Sequence, residues 1–314
     1  MAVGAGLKRA KKRFADTSAK ESFGKLLTEA LRDSNKQNSD HRRSAIALLG
    51  YGDYARVKDT LFALLSPEHS PRAQLAALGT LDGFTSAKIA DQILAHWKSF
   101  TPSIREEALR VLLRRTTHQL ALLQAIKTGS INAREIPFSR QGYLKRSRNP
   151  QIKAAATKLF GSQSVASRGE ALRMFKPALQ LRGNPIAGAK HVGERCHTCH
   201  RFKNKGFALA PDLETVQAWT AEELLTHILD PNRKVEPEQR AFTIETKDDE
   251  SYVGLIESES EDTVTLRMPN GIRQQLMRSQ IRSLTSQGLS LMPEGLEAGL
   301  TPQDLADLIA FLKN

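Results

Sequence analysis

Arg42-Arg-Ser-Ala-Ile-Ala-Leu-Leu-Gly50 is a phrase that returns along the chain. Altered copies stand at Arg72-Ala-Gln-Leu-Ala-Ala-Leu-Gly79, Arg105-Glu-Glu-Ala-Leu-Arg-Val-Leu-Leu113 and Ile152-Lys-Ala-Ala-Ala-Thr-Lys-Leu-Phe160, at intervals of 30, 33 and about 48 residues. Each copy sets apolar residues three and four apart, the spacing that gathers them on one face of a helix. A second amphipathic run follows, through Val57, Leu61, Leu64 and Leu65 after the first copy and through Ile89, Ile93 and Leu94 after the second. Pro71 and Pro102 stand where a helix would begin, because proline in the first turn gives up only an N–H that has no partner there.

A helical pair cannot bury its apolar face alone, so a repeated pair predicts stacked neighbours. The pattern resembles HEAT-type repeats, which implies an α-solenoid over residues 37–162. Residues 129–149 interrupt the period, with Pro137 and Gly142 inside and Pro150 just beyond, and are expected to form a long inter-repeat loop. Residues 1–36 are basic and weakly periodic, with a cationic run at Lys8 to Arg13 and one amphipathic piece through Phe23, Leu26, Leu27, Ala30 and Leu31. They read as the remainder of a preceding region. Residues 163–186 read as a connection, with a helix from Ser167 to Leu181 ending at Gly183-Asn-Pro185.

Charge divides the chain in the same place. Residues 1–160 carry 28 Lys and Arg against 13 Asp and Glu, and residues 161–314 carry 18 against 21. The cations of the first half recur once or twice per helix without interleaved aromatics, which fits solvated helix faces, so no nucleic-acid partner is expected. No run approaches the 18 or so apolar residues of a membrane-spanning helix. The basic N-terminus is not followed by the apolar stretch of a secretory signal.

Beyond residue 186 the period changes twice. Residues 241–285 alternate with period two, in Phe242-Thr-Ile-Glu-Thr246, Tyr252-Val-Gly-Leu-Ile256, Val264-Thr-Leu-Arg-Met268 and Ile272 to Leu276, separated by turn-forming clusters. This predicts a small antiparallel sheet or barrel inserted between helices. The closing stretch, Pro302 to Leu312, is again an amphipathic helix.

The two cysteines of the chain are three apart and a histidine follows the second: Cys196-His-Thr-Cys-His200. C-x-x-C-H is the attachment signature of c-type haem. Two thioethers must reach two vinyl groups on one edge of the porphyrin, and the next turn then aims the histidine at the iron. Cys196 and Cys199 are the expected attachment points and His200 the proximal ligand of one covalent haem c. A redox-active disulfide, a half zinc site completed by histidines such as His191 or His227, and an ordinary buried pair are the competing readings.

Ser290-Leu-Met-Pro-Glu-Gly-Leu296 is a turn-rich loop that holds a methionine directly before proline. Met292 is the expected sixth ligand, since a thioether opposite an imidazole gives a raised potential suited to one-electron transfer. Met277, Met268, Met174, His227 and His191 are the other residues able to fill that position. A methionine that merely fills a gap in the core is the plain alternative for Met292.

From Gly188 to the C-terminus the text resembles the haem-binding c-type cytochrome domain found at the C-termini of large planctomycete and verrucomicrobial proteins. The resemblance lies in Cys196-His-Thr-Cys-His200, Ala210-Pro-Asp-Leu213, Leu225-Thr-His-Ile-Leu-Asp-Pro231, Ser290 to Leu296 and Asp304-Leu-Ala-Asp-Leu-Ile-Ala-Phe-Leu312. It implies a class I cytochrome c-like domain over residues 187–314, in which the Pro211 carbonyl accepts the free N–H of His200. It also implies that the first and last helices cross at Gly188, Leu308 and Phe311. Val192 stands where an aromatic is usual, and Ala210 where glycine precedes Pro-Asp-Leu, which bears on packing beside the haem and touches no ligand.

The fold class expected is therefore mainly α: a HEAT-like α-solenoid, then a cytochrome c-like α domain with a small antiparallel β insertion. The function expected is electron relay rather than catalysis, with a redox donor or acceptor protein or an upstream dehydrogenase domain as partner. The resemblance places the chain outside the cytoplasm, in the periplasm, with its export signal missing from this sequence. A haem sensor or peroxidase-like catalyst with a labile methionine, and a helical-repeat binding module with a zinc-stabilised end, are the alternatives.

Overall fold

A computed structural model of the protein describes residues 20–36, 41–161 and 168–314. The cationic run at Lys8 to Arg13 and the expected helix start at Ser167 lie outside them. The chain is mainly helical with a small antiparallel sheet.

A leading helix, α1 Lys20–Ser34, precedes the repeated phrases, which form helices each followed by a partner: α2 Arg42–Leu49 and α3 Tyr54–Ala63, α4 Pro71–Leu81 and α5 Lys88–Ala95, α6 Pro102–Arg114 and α7 Thr116–Lys127. Pro71 and Pro102 occupy first-turn positions, and the Ser70 hydroxyl accepts the Ala73 N–H at 3.3 Å. The apolar faces meet in one buried cluster that runs from Leu27 to Phe160 and includes Ile46, Leu61, Leu78, Ile93, Leu112 and Leu122. Each such side chain, fully buried, contributes about 1.5–3 kcal/mol by leaving water. Helix α1 joins this core through Leu27 and Ala30, although its sequence reads as part of a separate leading segment. Asp82 caps α4 and accepts hydrogen bonds from Arg110, Arg114 and Arg115, linking α4 to the end of α6. Burial alone would raise the Asp82 carboxyl; the bonds from Arg114 and Arg110 outweigh it and hold it below the ordinary range.

Residues 129–149 are not one long loop. A capping box between Asn132 and Glu135 starts a short 3-10 turn, and α8, Phe138–Lys145, follows with Leu144 fully buried. Pro137 precedes that helix rather than breaking it, and Gly142 is tolerated inside it. Helix α9, Pro150–Gly161, completes the first part.

The connecting segment forms α10, Gly169–Phe175, and Pro177 then tightens the chain into a 3-10 turn over Lys176–Gln180. Phe175 and Ala178 are buried among the C-terminal helices α11, Pro185–Arg195, α12, Ala221–Leu229, and α13, Pro302–Leu312. A two-residue hairpin, β1 Arg201–Phe202 and β2 Lys205–Gly206, lies between α11 and α12, and no period in the sequence announces it. Its turn is made by Lys203 and Asn204 at positive φ.

The inserted sheet has five strands, β3 Arg240–Thr246, β4 Ser251–Glu259, β5 Thr263–Arg267, β6 Arg273–Met277 and β7 Ile281–Ser290, in the order β6-β5-β4-β3-β7 and antiparallel throughout. The sheet thus extends to Ser290, past the expected limit at 285, because β7 returns along β3 with Arg240 opposite Ser290. Its core is Phe242, Ile244, Val264, Leu266, Leu276, Ile281 and Leu284.

Two polar seams join the sheet to the first helices. Buried Arg105 donates to Glu135 at 2.8 Å and lies over the rings of Trp97 and Phe242. Glu259 accepts from the Thr101 and Ser103 hydroxyls at 2.7 and 2.8 Å, at the start of α6, and from Arg278 at 3.0 Å.

Candidate functional site

Helix α11 sets up the cysteine motif. Asn184 caps its start by accepting the Ile186 N–H, Pro185 takes the first position, and the helix ends where Cys196 donates its N–H to Val192 at 2.9 Å. A tight turn carries the chain onward, with the N–H groups of Cys199 and His200 both directed at the Cys196 carbonyl, at 3.0 and 2.8 Å. The motif is folded on itself further by the Leu209 and Ala210 N–H groups, which both donate to Cys199. Gly206, at φ +84°, lets the β1–β2 hairpin lie so close that a Cβ there would fall 2.2 Å from the His200 carbonyl oxygen.

Helix α11 crosses α13 at glycines. A Cβ on Gly188 would lie 2.0 Å from the Asp307 carbonyl oxygen, and one on Gly183 would lie 2.2 Å from that of Ala306. The Asp307 side chain accepts the Asn184 N–H at 2.7 Å across the same crossing. Of the residues expected there, Gly188 meets the backbone of Asp307 and Leu308, while the Phe311 ring packs edge-on against Phe202 at 5.2 Å. Val192, on the same helix, is fully buried.

His200 Nδ1 donates to the Pro211 carbonyl at 2.7 Å. That contact fixes the tautomer and leaves Nε2 free to act as a ligand, the arrangement that orients metal-bound imidazoles generally. Burial lowers the His200 pKa, the Pro211 hydrogen bond opposing it, so the neutral ring that a metal requires is favoured. Cys196 and Cys199 are free thiols. Burial, and next the neighbouring Cys199, push the Cys196 thiol up to about 11. A thiol that starts disulfide exchange needs the reverse, a depressed pKa that supplies thiolate, so Cys196 is ill suited to that role. Among the described residues no three His, Cys, Asp or Glu side chains gather as a group that could hold a metal ion.

Met292 sits partly buried in the loop between β7 and α13. Among the described residues no hydrogen bond joins it to His200 or to either cysteine; the loop is tied to their surroundings through other groups. Arg195, the residue before Cys196, donates to the Leu296 carbonyl at 3.0 Å. Arg168 donates to the Leu229 carbonyl at 2.7 Å and pairs with Glu297. Buried Asn232 accepts the Ser290 N–H at 2.8 Å and donates to Glu294 at 2.7 Å. Sequence reasoning missed Asn232, Arg168 and Arg195. The Asp230-Pro231 pair, a turn signal at the end of α12 directly before Asn232, was the available pointer to the first.

Of the other residues able to serve as sixth ligand, Met174 and Met277 are exposed, and Met268 packs against the sheet core. His227 packs at a tilt against Trp219 with ring centroids 4.6 Å apart, and His191 Nε2 faces Asp304 at 3.3 Å.

The inserted sheet reaches the cysteine motif itself. Asn270 donates its N–H to the Thr198 carbonyl at 2.8 Å, Arg267 donates to Ala208 at 2.9 Å, and Gly271 lies against the Phe207 ring. No helix among the described residues is long and apolar enough to cross a membrane. No family model and no curated protein matches the chain.

Proposed function

We propose that residues 187–314 form a cytochrome c-like domain that carries one covalent haem c and relays single electrons, behind a HEAT-like α-solenoid. Cys196 and Cys199 supply the thioethers, His200 the proximal ligand and Met292 the sixth. The observation that carries this reading is the His200 to Pro211 hydrogen bond at 2.7 Å, made by the residue directly after the second of two free thiols. It presents a neutral imidazole with one nitrogen engaged and the other free, as an axial ligand requires. The donor set fits the group: two soft sulfurs spaced for attachment, one imidazole, and one thioether in a loop tied to the residue before Cys196.

The haem supplies the one-electron chemistry; the protein sets its potential and access. Pro211 holds the proximal ring, and the α11–α13 crossing holds the helix that ends at Cys196. His200 and Met292 would hold the iron between them and leave it no position for a substrate, so the role proposed is electron transfer rather than catalysis. The electron comes from, or goes to, a partner protein or a dehydrogenase domain upstream in a longer protein. Covalent haem is attached outside the cytoplasm, and that is the compartment this reading assigns to the domain.

Exchange of the sixth ligand tests the assignment. The ferric protein is expected to show the weak far-red band that sulfur ligation gives haem, and Met292→Ala to lose it while keeping covalent haem. A band that survives in Met292→Ala assigns the sulfur to another residue.

A further inference from the structure

We propose that Asn232 is the positioning residue for Met292, holding the sulfur-bearing loop at fixed span through a single side-chain amide. The inference rests on the ligand assignment above and adds a residue that the cysteine motif does not point to.

Asn232 is 5% exposed, and both ends of its amide are used. Oδ1 accepts the Ser290 N–H at 2.8 Å, and Nδ2 donates to Glu294 Oε1 at 2.7 Å. Those two residues flank Met292 symmetrically, two positions before it and two after. Within the span, the Met292 N–H donates to the Ser290 hydroxyl at 3.1 Å. The loop thus cannot lengthen or slide without breaking a part-buried hydrogen bond and leaving one end of the buried Asn232 amide unpaired, which is costly.

The support beneath Asn232 is also fixed. Asp230 donates its N–H back to Thr226 at 2.8 Å at the end of α12, and Arg134, from the helical part of the chain, donates to the Asn232 carbonyl at 3.3 Å. An iron–thioether bond is weak and is kept only if the sulfur is held in place before it binds. An unheld loop loses conformational freedom at each binding event, and an external ligand then competes better.

The test is displacement of the methionine by imidazole in the haem-loaded ferric protein, followed through the far-red band. Asn232→Asp keeps the bond to Ser290 but sets an acceptor against the Glu294 carboxylate. Imidazole is expected to bind about ten- to a hundredfold more tightly than to wild type, the loss of one charge-assisted hydrogen bond. Adding Glu294→Gln to that variant restores the pair with donor and acceptor exchanged, and affinity is expected to return to within about threefold of wild type. A general loss of stability would not be rescued by that second change. Should Asn232→Asp not accumulate, Glu294→Ala breaks the same bond from the exposed side and is expected to tighten imidazole binding by a similar factor.

Imidazole affinity unchanged in Asn232→Asp or in Glu294→Ala, or unrescued in the double variant, overturns the role of Asn232 while leaving the ligand assignment intact. A wild-type ferric protein with covalent haem but no far-red band overturns the assignment of Met292, and with it the purpose given to the amide.

Discussion

Gly188→Ala and Gly193→Ala make the same chemical change on one helix and are expected to act in opposite directions. A Cβ on Gly188 would lie 2.0 Å from the Asp307 carbonyl oxygen and 2.5 Å from its carbon, whereas a Cβ on Gly193 meets nothing within 4 Å. Real Cβ contacts essentially never fall below 3.0 Å, so the alanine at 188 must part α11 and α13 by about an ångström. A gap of that size forfeits roughly a quarter to a half of each dispersion contact along the crossing. Overpacking of this kind typically costs about 1–3 kcal/mol, and weakening of the part-buried Asn184 to Asp307 bond adds about 1 kcal/mol. The expected loss is about 2–4 kcal/mol. At Gly193 the alanine removes backbone freedom from the unfolded chain and should add about 0.5–1 kcal/mol. Urea unfolding of the purified chain reads both. Gly188→Ala within about 0.5 kcal/mol of wild type, or two variants shifting in the same direction, would refute the close crossing that positions the helix ending at Cys196.

Glu135→Ala removes the counter-charge of buried Arg105, whose pKa burial has already pulled down to about 10, and strips acceptors from the Trp97 and Asn132 N–H groups. Breaking such a pair typically costs about 3–5 kcal/mol; a loss under about 1 kcal/mol in urea unfolding would show that this seam is solvated. In the haem-free chain the Cys196 thiol, at about 11 against an ordinary 9.0, holds about a hundredfold less thiolate than an unperturbed cysteine, so iodoacetamide should alkylate it correspondingly slowly at pH 8. The sign for stability follows: below pH 9 both states keep the proton, and between 9 and 11 only the unfolded chain ionises. Stability of the haem-free wild type should therefore fall with rising pH across that range, less so in Cys196→Ala, and equal slopes would contradict the buried thiol.

The helical part was legible because its apolar spacing is uninterrupted and prolines mark the starts at Pro71 and Pro102. Strand β7 was not, because the inward positions near its end are Ser286 and Gly288, the latter seated against Glu135 of the helical part. A strand whose inner face meets a carboxylate has no alternating apolar signal. Helix α8 was hidden by Pro137 and Gly142, both usually read as breakers, and tertiary burial of Leu144 overrides them. At the site, His200 was legible from the spacing of the Cys196-His-Thr-Cys-His200 run, whereas Pro211 came only from the resemblance to c-type cytochromes. Asn232, some 30 residues further on, was legible from neither, since only the folded chain brings it to Ser290 and Glu294.

The central claim is most directly tested by the intact mass of the protein, fused to an export signal and matured in a host that attaches haem c. The account predicts a coloured protein heavier by one haem, with the group retained on denaturing electrophoresis and lost in the Cys196→Ser, Cys199→Ser double variant. A colourless protein of unaltered mass, with both thiols open to alkylation after unfolding, would contradict it.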